Sequence, residues 1–323
     1  MDIKDIYLQS QAHKIISLDK SRGMLSHAYM LECADEIILS EYVKFMAQEI
    51  YCLEENTPCG FCNNCIKIDH SNMVDLKIYP RENKNIVVDD INEIVVDAYI
   101  RPIDSLMKIF ILNNFNNATV QAQNKLLKTL EEPPTNVVFL ITCSNSNAIL
   151  QTIRSRVKTI SESRLPLEVI RSYLDSVGVK DTENVASVSG GSLEVAMRIA
   201  NKGGADKIID LAMNTLIDLR SSADVLKFSS NILSLKKDFP FYLDTLISII
   251  RDISVVDSGT SINFKSKQKE IVALSKIYSK FALVEITSYL NEIYNKMDFN
   301  CNMTGVVDQM LLKILEVKFL CQK

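Results

Sequence analysis

Between residues 108 and 160 the spacing of apolar positions changes repeatedly. Residues 109–112, Ile-Phe-Ile-Leu, form an unbroken apolar run short enough for a buried parallel strand, which ends at Asn113-Asn114. Over residues 118–132 the spacing becomes helical: Ala122, Leu126, Leu127 and Leu130 share one face, and Pro133-Pro134 stops the helix. Residues 137–142 are a second buried strand, 148–154 a short helical turn, and 157–160 one more strand. Upstream, residues 3–18 read as one amphipathic helix, 26–31 as a strand and 35–51 as a helix. A strand at 75–79 closes at Pro80, a charged turn follows at 81–84, and 88–100 is helical with Ile91, Ile94, Val95 and Ala98 on one face. Strands beginning near His27, Asp75, Lys108, Val137 and Val157, with helices between them, predict an α/β core with a doubly wound parallel sheet.

Beyond residue 165 the periodicity is helical throughout. One helix, 167–177, ends at Gly178, and another, 192–200, follows Gly190-Gly191. Residues 201–204, Asn-Lys-Gly-Gly, read as a linker. From there to residue 323 breakers are few, and runs such as 241–255 and 306–320 predict an all-helical domain. The expected organisation is an α/β core over 1–162, a small helical domain over 163–203 and a larger one over 204–323.

Composition narrows the function. A chain of 323 residues with 47% hydrophobic and 24% charged residues has room for two or three domains of about 100 to 150 residues. A net charge of −4 argues against a protein that coats nucleic acid unaided, because that needs a dense basic footprint. With three histidines and no hydrolase motif, histidine-based catalysis has little to build on. No apolar stretch reaches about 18 residues and no basic-then-apolar leader opens the chain, so a cytoplasmic protein is expected.

The strongest local chemical signal is Cys52, Cys59, Cys62 and Cys65, spaced C-x6-C-x2-C-x2-C. Tetrahedral zinc takes four thiolates, and x2 spacings let successive cysteines turn toward one ion. Gly60 supplies the backbone freedom such a turn needs. Disulfides or free thiols are the competing readings, the former at odds with a chain lacking a leader. His70 is a reserve ligand in place of Cys52. Four protein ligands leave no position for a catalytic water, so the module at 52–65 is structural. Cys33, Cys143, Cys301 and Cys321 sit in apolar settings and read as core thiols.

The run AQNKLLKTLEEPPTNVVFLITC followed by TIRSRV resembles the nucleotide-binding core of bacterial clamp loaders, the AAA+ assemblies that open the sliding clamp for DNA polymerase III. Within that family the chain is most similar to the delta-prime group. The resemblance covers about the first 200 residues and, beyond them, only the helical character. It implies an AAA+ core, a helical lid over 163–203 and an all-α collar over 204–323. It also implies a P-loop after the His27-Ala28-Tyr29 strand, but residues 32–40 contain neither glycine nor lysine. Glu32, Asp35 and Glu36 stand there instead and would repel a triphosphate. Asn113-Asn114-Phe115-Asn116 occupies the place of the acidic residues that hold Mg²⁺, and Glu194 that of the lid arginine, with Arg198 one turn on. The expectation is a chain with no ATP of its own and no enzymatic activity by itself.

What survives of the family's chemistry is Ser155-Arg156. In the family this pair lies at a subunit boundary and the arginine reaches in trans into the neighbour's ATP site, a task suited to a planar, forked, permanent cation. Taken alone, an arginine before a strand is a surface charge or a helix C-cap, and Arg154 reads as a solvated neighbour. The family carries a similar four-cysteine insertion, with a longer first interval than here. Lys125 and Lys128 form a solvated face or approach a partner's phosphates or DNA; Lys128 matches the family pattern. The implied partners are gamma/tau and delta subunits in a hetero-pentamer, with the sliding clamp and primed DNA met through the complex. The alternatives are an ATP-binding motor subunit of gamma/tau type and a zinc-bearing nucleic-acid adaptor outside replication.

Overall fold

A computed structural model describes residues 1–81, 85–201, 206–235, 238–258, 262–297 and 302–320. The chain divides into two compact units, Met1–Arg164 and Leu165–Lys323.

In the first unit five strands, β1 (Ala28–Glu32), β2 (Leu76–Tyr79), β3 (Lys108–Leu112), β4 (Val137–Cys143) and β5 (Lys158–Ser161), form one parallel sheet in the order β2-β3-β4-β1-β5. The helices are α1 (Ile3–Tyr7), α2 (Gln11–Ser21), α3 (Glu36–Tyr51), α4 (Asn63–Asp69), α5 (Val88–Ala98), α6 (Val120–Glu131) and α7 (Gln151–Arg154). Alternate strand residues Met30, Phe110, Leu112, Phe139 and Ile141 share a buried cluster with Ile91 and Ile94 of α5 and Ala122, Leu126 and Leu130 of α6. The intervening residues Tyr29, Leu31, Ile109, Ile111 and Leu140 are also buried, and α3 lies against β1 and β4. Burial on both faces is why these strands read as continuous apolar runs. The doubly wound parallel core expected from the sequence is present. β1 lies between β4 and β5, so the carboxyl ends of β1, β3 and β4 meet where ligands of such sheets bind.

Several boundaries differ from the sequence reading. Residues 3–18 are not one helix: α1 and α2 are separated at Leu8-Gln9-Ser10, where the Ser10 hydroxyl accepts from the His13 N–H 3.1 Å away and caps α2. Asp75 lies just before β2: its carbonyl still accepts from the Ile109 N–H of β3 at 2.9 Å, while its carboxylate accepts from the N–H groups of Ile103 at 2.9 Å and Asp104 at 2.7 Å and from the Ser105 hydroxyl at 2.9 Å. The turn expected at 148–154 is split. A single 3₁₀ turn at Ser146–Ala148 and the short α7 flank two extended residues, Ile149 and Leu150. In the charged turn at 81–84, residues 82–84 lie outside the described residues.

The second unit contains nine helices among its described residues: α8 (Leu167–Ser176), α9 (Thr182–Val188), α10 (Leu193–Asn201), α11 (Asp206–Asp218), α12 (Ser222–Leu233), α13 (Phe239–Val255), α14 (Gln268–Ser275), α15 (Lys280–Met297) and α16 (Met303–Leu320). Leu174, Val185, Ile199, Leu216, Leu246 and Leu311 belong to one buried cluster, so helices on both sides of residue 203 share a core. In the linker expected at 201–204, Asn201 ends α10 and the rest lies outside the described residues. Pro240 sits in the first turn of α13, where its missing N–H costs nothing. Lys318 of α16 is buried: its Nζ donates to the carbonyls of Leu216 at 2.8 Å, Ile217 at 3.0 Å and Leu219 at 3.1 Å, closing the C-terminus of α11. Among the described residues no helix is long and apolar enough to cross a membrane.

Candidate functional site

The four cysteines converge. Cys52 follows the last turn of α3, Cys62 is the N-cap of α4 and Cys65 lies one turn into it, with Cys59 on the intervening loop. Their sulfurs all lie within 4.8 Å of one another, and Cys59–Cys65 and Cys52–Cys62 are each 3.9 Å apart. Four sulfurs bound about 2.3 Å from one zinc ion would stand about 3.8 Å apart, so the donor set fits a tetrahedral thiolate site. A disulfide needs about 2.05 Å, so these are not bridged pairs. His70, the reserve ligand, is instead the C-cap of α4, and Cys52 completes the quartet. The N–H of Cys62 points at the Cys59 sulfur at 3.2 Å, and Gly60 has φ +84°, as the turn requires. Burial opposes ionisation of Cys59, but the N–H groups of Cys62 and Phe61 outweigh it and hold the thiol down at about 7.

Neighbouring side chains lock this module in place. Gln48 donates to the Cys65 carbonyl at 3.1 Å and Asn64 to the Tyr51 carbonyl at 2.8 Å. The Tyr51 hydroxyl donates to the carbonyl of Asp75 at 2.8 Å, and Lys67 of α4 pairs with Asp104. From the N-terminal helices, Lys4 donates to the Cys59 carbonyl at 2.9 Å, and Lys20 donates to the carbonyls of Glu49 and Cys52. Burial lowers the basicity of Lys20, opposed by the negative charge of Cys52, Glu49, Cys65 and Cys62. Neither lysine was singled out in the sequence, since each belongs to a helix distant from the cysteines.

At the carboxyl end of β1 the acidic residues are already engaged. The Asp35 carboxylate caps α3, accepting from the Ile38 N–H at 3.0 Å. Glu32 accepts from the Ser146 N–H at 2.9 Å and the Ser161 hydroxyl at 3.2 Å. Burial alone would raise the Glu32 carboxyl, but these hydrogen bonds and Arg154 hold it below its ordinary value. At the end of β3, Asn114 adopts φ +50°, a left-handed conformation asparagine tolerates, and its N–H donates to Thr142 Oγ1 at 3.0 Å. Asn116 Oδ1 accepts from the Ser144 N–H at 3.1 Å, so this asparagine ties β3 to the loop after β4.

Ser155 is the C-cap of α7, and Arg156 follows it before β5. The Arg156 guanidinium lies 2.6 Å from Glu131 on the last turn of α6 and donates to the Thr152 carbonyl at 2.7 Å and to Ser155 Oγ at 3.3 Å. A third of the arginine side chain remains exposed, so it is held in place yet reachable. Glu131 was not singled out in the sequence. Lys125 and Lys128 are exposed on α6. In the second unit Arg198 pairs with Glu194 and stacks over the Phe241 ring, 4.8 Å from its centre. Cys33 and Cys143 are buried, and burial pushes their thiols up to about 11 and about 12, as expected of core cysteines. Cys301 and Cys321 lie outside the described residues.

The family model described as DNA polymerase III, delta subunit, matches residues 8–165. The gamma/tau subunit of DNA polymerase III from Mycoplasma genitalium is 25% identical over 98% of this chain and 53% of its own length. The delta' subunit from Bacillus subtilis is 24% identical over 96% of this chain and 97% of its own. The chain thus spans about half of that gamma/tau relative, and less of the tau subunits from Salmonella typhimurium and Bacillus subtilis, at 26% and 45% of theirs. A gamma-subunit-related protein from Thermotoga maritima, of known crystal structure, is 18% identical, with a TM-score of 0.47 over 95% of this chain and 99% of its own. Over most of its length, this chain is homologous to the delta' and gamma/tau subunits of DNA polymerase III.

Proposed function

We infer that this chain, as a homologue of the DNA polymerase III delta' and gamma/tau subunits, is a clamp-loader subunit that does not hydrolyse ATP itself. It works in the cytoplasm as one member of a hetero-pentamer with gamma/tau and delta subunits, and meets the sliding clamp and primed DNA through that complex. Its contribution to the reaction is Arg156, offered in trans to the ATP held by an adjacent motor subunit and oriented by Ser155. The four cysteines hold one zinc ion, which fixes the loop between α3 and α4 and takes no part in chemistry. We keep the partition into a core over 1–162, a lid over 163–203 and a collar over 204–323 as part of this reading.

The observation that carries the non-hydrolysing role is Asp35 at the N-cap of α3. A helix N-terminus after the first strand of such a sheet offers its free N–H groups to phosphate. Here a carboxylate of the chain already accepts from the Ile38 N–H, and Glu32 beside it is bound into the same edge. A triphosphate would have to displace one anion and lie beside another, with no lysine in residues 32–40 to compensate. The asparagines after β3 support the same reading, because an amide is a poor ligand for Mg²⁺.

The motor reading has the gamma/tau similarity on its side, and titration calorimetry separates the two. Purified chain with Mg²⁺–ATP is expected to give no binding heat at 1 mM nucleotide, a concentration order at which functional nucleotide sites saturate. Saturable one-to-one binding would overturn the non-hydrolysing role and favour the motor reading.

A further inference from the structure

Residues 52–65 contain four cysteines, Glu54 and Glu55, and neither lysine nor arginine. Four thiolates around a divalent ion leave two negative charges, to which the two glutamates add, and nearby cations lower the electrostatic cost of gathering that charge in one place. The cations come from elsewhere in the chain. Lys4 on α1 reaches the carbonyl of one ligand residue, Cys59, and Lys20 on α2 reaches that of another, Cys52. A Cβ at residue 60 would stand 3.1 Å from Lys4 Nζ, so the glycine leaves the lysine room to approach without shifting. Lys20 also donates to the Glu49 carbonyl at 2.5 Å, which pins its ammonium against the end of α3.

We propose that Lys20 and Lys4 are the counter-charges of the four-cysteine centre and set its affinity for the metal. This rests on the zinc reading above and extends it to two positioning residues outside the ligand set. Their carbonyl contacts orient the ligand residues, while their charge offsets that of the thiolates. Partners that orient and polarise metal ligands in this way are worth about 10- to 100-fold in metal affinity.

The test is zinc competition against a chromophoric chelator on the full chain, with cobalt(II) absorption reporting the four-thiolate geometry and thermal melting run on loaded and metal-stripped protein. Lys20→Met is expected to weaken zinc binding by at least about tenfold, and Lys4→Met by a smaller factor. Lys20→Arg should recover most of the loss, and the metal-stripped forms should all melt together. Unchanged affinity in both methionine variants, with wild type still binding one zinc, would overturn the counter-charge role and leave the zinc reading standing. A Lys20→Met protein whose metal-stripped form melts as far below wild type as its loaded form would also overturn it, because the lysine would then be a packing residue. Wild type that binds no zinc and gives no cobalt–thiolate band would remove the zinc reading itself.

Discussion

Arg156, two residues before β5, and Glu131, on the last turn of α6, form an ion pair of 2.6 Å. The pair is a third to a half exposed, so its own contribution to stability is small, about 0.2 to 1 kcal/mol. In the proposed trans role the pair would hold the guanidinium in one place until a stronger anion competes for it. Arg156→Ala, reconstituted with gamma/tau and delta subunits, should lower ATP turnover by about tenfold or more while the complex still assembles. Glu131→Gln should leave turnover at or above the unaltered level, since it frees the arginine. A steady-state ATPase assay alongside size-exclusion chromatography reads both, and an Arg156→Ala complex with full turnover would remove the trans role.

Asp75 fastens the loop at 103–105 through three hydrogen bonds. Burial opposes its ionisation, but the N–H groups of Ile103 and Asp104 and the Ser105 hydroxyl outweigh that and hold its carboxyl below the ordinary value. A carboxyl with a lowered folded-state pKa stabilises the fold fully above its unfolded value near 3.9, and the contribution fades as pH falls through the folded value. Asp75→Asn should therefore cost about 2 kcal/mol at pH 7, with a gap to wild type that closes below about pH 4. Urea unfolding at a series of pH values tests it; a gap independent of pH would show that the carboxylate charge is not what holds the loop.

Removing metal should be felt beyond the cysteines. Helix α4 has seven residues, too few to persist alone, and it carries both Asn64, bound to the Tyr51 carbonyl, and Lys67, paired with Asp104. Chelation is expected to raise amide exchange over residues 59–70 and, more weakly, over 103–107, leaving β1 and β4 protected. Hydrogen exchange read by mass spectrometry would register this, and unchanged protection after verified metal loss would contradict it.

Lys318→Met keeps the length of the side chain and removes its three donor contacts. The carbonyls of Leu216, Ile217 and Leu219 then lose that partner in a mostly apolar interior, for a loss of about 3 kcal/mol. The expected result is a lower urea midpoint with an unchanged slope. A loss within about 0.5 kcal/mol would mean that water replaces the ammonium.

How far the chain could be read from its residues differs by region. β1, β3 and β4 were legible because burial on both faces leaves their middle residues almost wholly apolar, and the double proline fixed the end of α6. The cysteine quartet was legible because its spacing is local. Asp75 looked like a strand residue, since nothing near it in sequence shows that residues 103–105 will donate to it. Glu131, Lys20 and Lys318 were missed for the same reason: each acts on a segment far along the chain. For Lys318 a signal existed, a single lysine between Val317 and Phe319 near the end of an otherwise apolar stripe. The break at Ser10 was also signalled, by a hydroxyl residue preceding a helical run, and was overlooked because the apolar spacing continues across it.

One of the interior strands of the sheet is the first to be made. β1 spans residues 28–32, but its neighbours are β4 and β5, which begin at residues 137 and 158. During synthesis at about 5–20 residues per second, the earliest strand therefore leaves the ribosome several seconds before anything it can pair with. Until then both its edges are open and its apolar side chains uncovered, which makes nascent chains halted before Ser161 natural clients for a holding chaperone.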